Sequence, residues 1–198
     1  MATTVHLVRH GHHGLLEQLL CGRLIGISID TLGREQMARC AERMHPMPDA
    51  IRSSPQQRAK QSADILGDAF GLAVQLFNEV DEIDYGGWTG RSFADLHDNH
   101  DWLRWNEQRA YCRPPGGESM EELQRRVVGG LRRLEREQGA ATIAVVTHAE
   151  PIRAAILYCA GVPLDRYSLI DVGLASISTL SIEHGRLAAV CVNQEVPT

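Results

Sequence analysis

The sequence predicts a three-layer α/β/α fold, in which a mostly parallel central sheet lies between two layers of helices. Two observations predict it. Short strands rich in β-branched residues alternate with amphipathic helices, and the best strand, 142–146, is apolar without alternation. A strand covered by helices on both faces has this pattern, because neither face meets water. The 198 residues contain no internal repeat or linker, so we expect one domain over residues 1–198.

The elements of the first part of the chain follow from the spacing of apolar residues and from the residues that interrupt them. We predict a strand over 3–8, a helix over 31–44, a strand starting at 50–51, a helix over 55–70 and a strand over 72–77. Ser54 can cap the second helix, and Pro55 can occupy its first position, where an N–H would be unpaired anyway.

Residues 91–115 are predicted to form an insertion, with one or two short helices around 93–108. Its aromatic and basic residues are Trp102, Trp105, Tyr111, Arg104, Arg109 and Arg113. Two interpretations are open. The insertion forms a lid over the site that selects the ligand, or its tryptophans pack against the edge of the sheet.

The last part of the chain begins with a capping box, because Ser119 and Glu122 can each bond a free amide at a helix start. The elements that follow are a helix after Ser119, the strand 142–146, a helix that begins at Pro151, and a hairpin with strands near 175–182 and 187–192.

Composition excludes several classes of function. The net charge of -5 and the lack of a basic block argue against a nucleic-acid or anionic-membrane partner. No apolar run approaches the ~20 residues of a membrane span, and no signal-peptide core fits before Arg9. The five cysteines are odd in number and scattered, which indicates reduced thiols. We therefore expect a cytoplasmic protein, and assembly into a homo-oligomer stays open.

Two predicted strands end in a histidine, at Arg9-His10 and at Thr147-His148. In open α/β sheets, ligands bind outside the carboxyl ends of the strands. Arg9 adds a permanent cation, and the helix after His148 adds the free amides of its first turn. The combination indicates a site for a tetrahedral oxyanion such as phosphate. Taken singly, each residue has a plainer interpretation, as a packing histidine or a solvated arginine.

Blocks of the chain also occur in a recognisable order. They are 7–11, with the sequence LVRHG, then 33–36, 53–63, 82–90, 115–119 and 146–153. Together they resemble the histidine phosphatase superfamily, the phosphoglycerate-mutase-like family, and in particular its phosphatase branch. The resemblance covers most of the chain and implies the phosphoglycerate-mutase-like fold.

The resemblance implies a role for each matching residue. The nucleophile is His10, the phosphate ligands are Arg9, Arg58 and His148, and the general acid is Glu82. These roles suit the chemistry, since imidazole has an ordinary pKa of about 6.5 and guanidinium binds phosphate in a bidentate manner. Asp81 and Asp84 are rivals for the acid, and only the register of the block favours Glu82.

Further substrate contacts are expected at the rim of the site, from Ala149 at the next helix and from Cys21, Gly22 and Arg23 in the first loop. We expect no cofactor, because the cationic side chains around one phosphate replace a magnesium ion. The metal alternative is a zinc site made by His10, His12 and His13. These three histidines lack the usual spacing of zinc ligands.

The expected function is hydrolysis of small phosphorylated metabolites without a metal, through a phosphohistidine. Residues 12–16 depart from the mutases of the superfamily, which carry a small hydroxyl residue and a Trp-Asn pair there. This departure and the short chain favour a hydrolase. The alternatives are a phosphoglycerate-type mutase, a phosphatase of phosphohistidine or phosphoproteins, and a non-catalytic sensor of a phosphorylated ligand.

Overall fold

A six-stranded mixed sheet forms the centre of the fold in the computed structural model, which describes residues 2–195. The strands are β1 (Thr3–Arg9), β2 (Ala50–Ser53), β3 (Val74–Leu76), β4 (Thr142–Thr147), β5 (Ile177–Glu183) and β6 (Arg186–Gln194). Their order is β3-β2-β4-β1-β5-β6. The pairs β3–β2, β2–β4 and β4–β1 are parallel, whereas β1–β5 and β5–β6 are antiparallel. The mostly parallel sheet and the final hairpin are confirmed.

Helices cover both faces of this sheet. They are α1 (Thr31–Arg43), α2 (Gln57–Phe70), α3 (Phe93–Leu96), α4 (His100–Glu107), α5 (Met120–Gln138) and α6 (Ala149–Ala160), with short 3₁₀ turns at Asn78–Val80, Gly86–Trp88 and Leu164–Leu169. The capping box of Ser119 and Glu122 is present at the start of α5. Within residues 2–195, none of the helices has the length and apolar character needed to span a membrane.

The apolar run of the central strands divides between two cores. Leu7 and Val145 pack into the core under α5 and α6. Val8 and Val146 point the other way, into the core under α1 and α2. All four side chains are almost fully buried. Successive side chains of a strand alternate between faces, so a strand covered on both faces is apolar throughout.

Two helices begin at other residues than the sequence predicted. Helix α2 begins at Gln57 with Gln56 as its cap, so Pro55 is not its first residue and the Ser54 side chain does not cap it. Helix α6 begins at Ala149, two residues before Pro151. Proline is accepted in the first helical turn, where its missing N–H has no partner to lose. Smaller differences are that α1 ends at Arg43 and β3 spans only 74–76.

The insertion is anchored by its tryptophans. Trp105 is fully buried in the main core and contacts Trp88 and Trp102, with ring centres 5.9 Å and 5.5 Å away. The Arg109 guanidinium lies over the Trp105 ring at 3.9 Å and pairs with the buried carboxylate of Glu150 at 2.9 Å. The tryptophans therefore act in packing, whereas Tyr111 of the same insertion is exposed and Phe93 lines the pocket described below.

Candidate active site

The carboxyl ends of β1 and β4 bring the two predicted histidines together. Arg9 is the register partner of Thr147, and the His10 amide donates to the Thr147 carbonyl at 3.0 Å. The rings of His10 and His148 consequently lie with their centres 5.2 Å apart. The loop after His10 runs against the start of α1 so closely that a Cβ on Gly11 would lie 2.4 Å from the Gly33 carbonyl oxygen. Glycine is required at this contact.

His10 is held in the form that a nucleophile needs. Its Nδ1 donates to the Gly11 carbonyl oxygen at 2.8 Å, since a carbonyl can only accept. The lone pair of the neutral ring therefore lies on Nε2, which accepts from Arg58 Nε at 3.3 Å. Burial, followed by the charges of Arg58 and Arg9, lowers the pKa of His10 well below its ordinary value. The ring is neutral at physiological pH.

The two arginines are each fixed by one backbone carbonyl. Arg58 Nη2 donates to Gly22 at 2.8 Å, and Arg9 Nη1 donates to Val172 at 2.7 Å. Arg58 Nη1 and Arg9 Nε are buried and have no hydrogen-bond partner among residues 2–195. Buried polar groups are nearly always paired, so unpaired guanidinium nitrogens at one site indicate an anion that binds there.

His148 lies fully buried beneath the pocket and is oriented by a serine. Its Nε2 lies 2.8 Å from Ser54 Oγ, and Ser54 Oγ lies 3.2 Å from the Asp81 carboxylate. The other ring nitrogen, Nδ1, is buried and finds no hydrogen-bond partner in the described part of the chain; it lies 3.8 Å from Glu82 Oε2. Burial and nearby positive charge lower the pKa of His148 well below its ordinary value.

Glu82 is distinguished from its two acidic neighbours by burial and contacts. Burial raises the pKa of Glu82 to about 7, against the opposing charge of Arg58, and the side chain lines the pocket. The Asp81 carboxylate instead accepts from Gln56 Nε2 and from the Glu82 amide, both at 2.8 Å. Asp84 accepts from the Gly86 amide. The geometry thus favours Glu82 as the group that exchanges a proton with a ligand.

Most of the predicted side chains share one pocket of about 270 Å³, but His148, predicted as a phosphate ligand, does not line it because it is fully buried. Of the residues predicted from sequence, Arg9, His10, Cys21, Gly22, Arg58, Glu82 and Ala149 line it. Residues without a predicted ligand contact also line it: Leu16, Glu17, Leu19, Leu20, Tyr85, Phe93, Glu150 and Arg153, together with His13, which the sequence proposed only as a zinc ligand. No local pattern marks these residues, because they enter the site from loops and helix faces that meet only in the folded chain.

Arg23 does not line this pocket, contrary to the expected rim contact. Its Nε donates to the Glu82 carbonyl at 2.8 Å, and its Nη2 donates to Glu118 at 3.2 Å. Arg126 binds the same Glu82 carbonyl, at 3.0 Å. Neighbouring carboxylates therefore draw Arg23 away from the pocket, and it supports the loop that carries Glu82.

The proposed zinc ligands diverge. His12 Nδ1 pairs with Asp30 at 2.6 Å, whereas His10 and His13 line the pocket. Among residues 2–195, no group of three or more His, Cys, Asp or Glu side chains is placed to hold a metal ion. The structure therefore does not bring His10, His12 and His13 together as a zinc site, because the His12 ring is hydrogen-bonded to Asp30.

Comparison with known proteins places this geometry in a family. The family model of the histidine phosphatase superfamily (branch 1) matches residues 5–195. The chain is 32% identical over 149 residues to phosphoserine phosphatase 1 of Hydrogenobacter thermophilus, a match that covers 73% of this chain and 70% of that protein. The chain is also 32% identical over 155 residues to a bifunctional protein of Mycobacterium tuberculosis. This match covers 76% of this chain but only 42% of that longer protein.

Two solved structures show the same fold. Mycobacterial glucosyl-3-phosphoglycerate phosphatase superposes with a TM-score of 0.85 at 25% identity, over 98% of this chain and 100% of that chain. A mutant phosphoserine phosphatase of Entamoeba histolytica, in complex with phosphoserine, superposes with a TM-score of 0.85 at 25% identity, over 96% of each chain. The chain therefore belongs to the histidine phosphatase superfamily, has its phosphoglycerate-mutase-like fold, and is a phosphatase.

Proposed function

We propose that this phosphatase hydrolyses small phosphorylated metabolites without a metal, through a phosphohistidine on His10. One observation carries the proposal: Arg9 Nε, Arg58 Nη1 and His148 Nδ1 are buried at the same site, and within residues 2–195 none of them has a hydrogen-bond partner. Leaving a buried polar group unpaired costs about 1–3 kcal/mol. The non-bridging oxygens of one phosphoryl group can accept from both guanidinium nitrogens, and from His148 Nδ1 in the tautomer whose Nε2 accepts from the Ser54 hydroxyl. They would lie beside the nucleophile.

In the first half-reaction, His10 Nε2 attacks phosphorus in line with the ester oxygen. The N–P bond forms as the P–O bond to the leaving group breaks, and protonated Glu82 gives its proton to the departing oxygen. A raised pKa suits this role, because an ordinary carboxyl would already be ionised at neutral pH. The arginines and His148 stabilise the charge on the phosphoryl oxygens.

In the second half-reaction, water takes the place of the leaving group. Glu82 is now a carboxylate and accepts a proton from water, whose oxygen attacks phosphorus as the N–P bond breaks. His10 recovers its lone pair, inorganic phosphate leaves, and Glu82 is again protonated. Each group thus returns to its starting state, and the cycle consumes one ester and one water.

The size of the pocket supports a small leaving group. Its volume of about 270 Å³ must hold the phosphoryl group as well as the leaving group. Leu16, Leu19, Leu20 and Phe93 line its wall with Glu17, and Arg153 adds a cation. Relatives with the same fold are named for phosphoserine and for glucosyl-3-phosphoglycerate, both small phosphorylated molecules.

The proposal is tested by phosphate release from a panel of small phosphomonoesters, with EDTA present. We expect release by the wild type and by His12→Ala, and none by His10→Ala. Loss of release on chelation would contradict the metal-free chemistry.

The same panel separates the alternatives. Dependence on a bisphosphate primer would identify a mutase, and release from a phosphoprotein but not from metabolites would identify a protein phosphatase. A folded protein that binds phosphate without hydrolysing any ester would be a sensor.

A further inference from the structure

His13 is a pocket residue that the proposed mechanism does not use. It lies three residues after His10 in the loop between β1 and α1, and 2% of it is exposed. It lines the pocket, and its ring centre lies 5.4 Å from that of His10. The ring therefore lies beside the nucleophile of the proposed mechanism.

The backbone fixes which nitrogen of His13 carries the proton. The Leu15 amide donates to His13 Nδ1 at 3.3 Å, so Nδ1 has a lone pair. Burial and the charges of Arg58 and Arg9 lower the pKa of His13 to about 4, so the ring is neutral at physiological pH. Its single proton is then on Nε2, and Nε2 has no hydrogen-bond partner among residues 2–195.

We propose that His13 donates from Nε2 to a non-bridging oxygen of the phosphoryl group, and so binds the part that all substrates share. The proposal rests on the proposed function, which places a phosphoryl group at His10. A neutral donor adds a hydrogen bond to a charged acceptor without placing a third cation beside Arg9 and Arg58. It also leaves the neighbouring His10 ring free of another positive charge.

If His13 contacts the phosphoryl group, its loss should weaken the binding of every substrate and of a phosphate analogue. His13→Ala should raise the inhibition constant of orthovanadate and the KM of every ester by about tenfold or more, the effect of losing one hydrogen bond to a charged group. His13→Gln should retain part of the affinity, since its amide nitrogen reaches as far as Nε2 of histidine. His13→Asn, which is equally polar but shorter, should not.

His12→Ala is the matched control, because His12 pairs with Asp30 and does not line the pocket. It should bind orthovanadate as the wild type does. The proposal is overturned if His13→Ala, or His13→Gln and His13→Asn alike, bind orthovanadate as tightly as His12→Ala. It is also overturned if only some esters are affected, since His13 would then contact the leaving group.

Failure of the proposed function would look different. In that case the wild type itself would neither release phosphate nor bind orthovanadate, and the contact of His13 with a phosphoryl group would fall with it. When the wild type is active and binds orthovanadate, the variants decide the role of His13 alone.

Discussion

The two ends of the pocket are built in different ways. At the phosphoryl end, His10, Ser54 and His148 directly follow β1, β2 and β4, and backbone pairing of parallel strands fixes their positions. At the leaving-group end, the wall comes from loops and from the insertion, with apolar side chains such as Leu16 and Phe93.

The difference separates chemistry from selection. A phosphoryl group is the same in every phosphomonoester, so a rigid set of donors at strand ends serves all of them. The leaving group varies, and loops tolerate substitution without disturbing the sheet. Substitutions at the phosphoryl end should therefore lower the hydrolysis rates of all esters with similar leaving groups by the same factor. Substitutions at the leaving-group end should instead change the rates of different esters relative to one another.

The largest effect is expected for Glu82→Gln, which keeps the shape of the side chain and removes the exchangeable proton. For alkyl phosphates, kcat/KM should fall by about 100- to 10,000-fold, the contribution of general acid catalysis. For nitrophenyl phosphate it should change little, because nitrophenolate leaves without a proton. Steady-state assays of both ester types measure this, and equal losses for the two would contradict the role of Glu82.

The pH dependence of the reaction gives a second test of Glu82 as the general acid. Because the pKa of Glu82 is raised to about 7, its protonated form is present below that pH and is lost above it. In the wild type, kcat/KM for alkyl phosphates should fall above about pH 7. On the acid side it should persist below the ordinary pKa of histidine, since the pKa of His10 is lowered. A profile of kcat/KM against pH that lacks the fall near pH 7 would contradict this.

A smaller effect, about tenfold in kcat for every ester, is expected for Ser54→Ala. The hydroxyl orients His148, so its loss should also change the ¹⁵N resonances of the His148 ring, which a purely structural role would leave unchanged. Ser53→Ala is the control, because Ser53 is equally buried and its hydroxyl donates to the Ser54 carbonyl, away from His148. Similar effects of the two substitutions would show that Ser54 does not act through His148.

The smallest effect is expected at the leaving-group end. Glu17→Gln removes a carboxylate from the pocket wall, so KM should rise a few-fold for esters whose leaving group is cationic and fall for anionic ones. Nitrophenyl phosphate should be unaffected. KM values across the panel test this, with Glu35→Gln at an exposed position of α1 as the control. An equal rise in KM for all esters would contradict the idea that the two ends of the pocket have different roles.

Sequence could predict the parts of this site that depend on local order. The apolar strand 142–146 and the strand-end histidines pointed to one site, because parallel strands align their carboxyl ends. The capping box at Ser119 and Glu122 could also be predicted, because its two hydrogen bonds join residues that are close in sequence.

The rest depends on contacts between distant segments. Ser54 was interpreted as a helix cap, but its partner His148 is 94 residues away. Arg23 was expected at the rim, and carboxylates from other segments hold it elsewhere. Asp81 and Glu82 could be ranked only by the register of a family block until their burial and hydrogen bonds were known.

The central claim, a phosphohistidine on His10, is tested most directly by trapping it. Glu82→Gln mixed with nitrophenyl phosphate should still be phosphorylated, because that leaving group needs no acid, and should hydrolyse slowly, because the base is missing. Rapid denaturation in alkali followed by mass spectrometry should find one acid-labile phosphoryl group on the peptide that contains His10. A burst of nitrophenol without a phosphorylated peptide, or a phosphoryl group on another residue, would contradict the account.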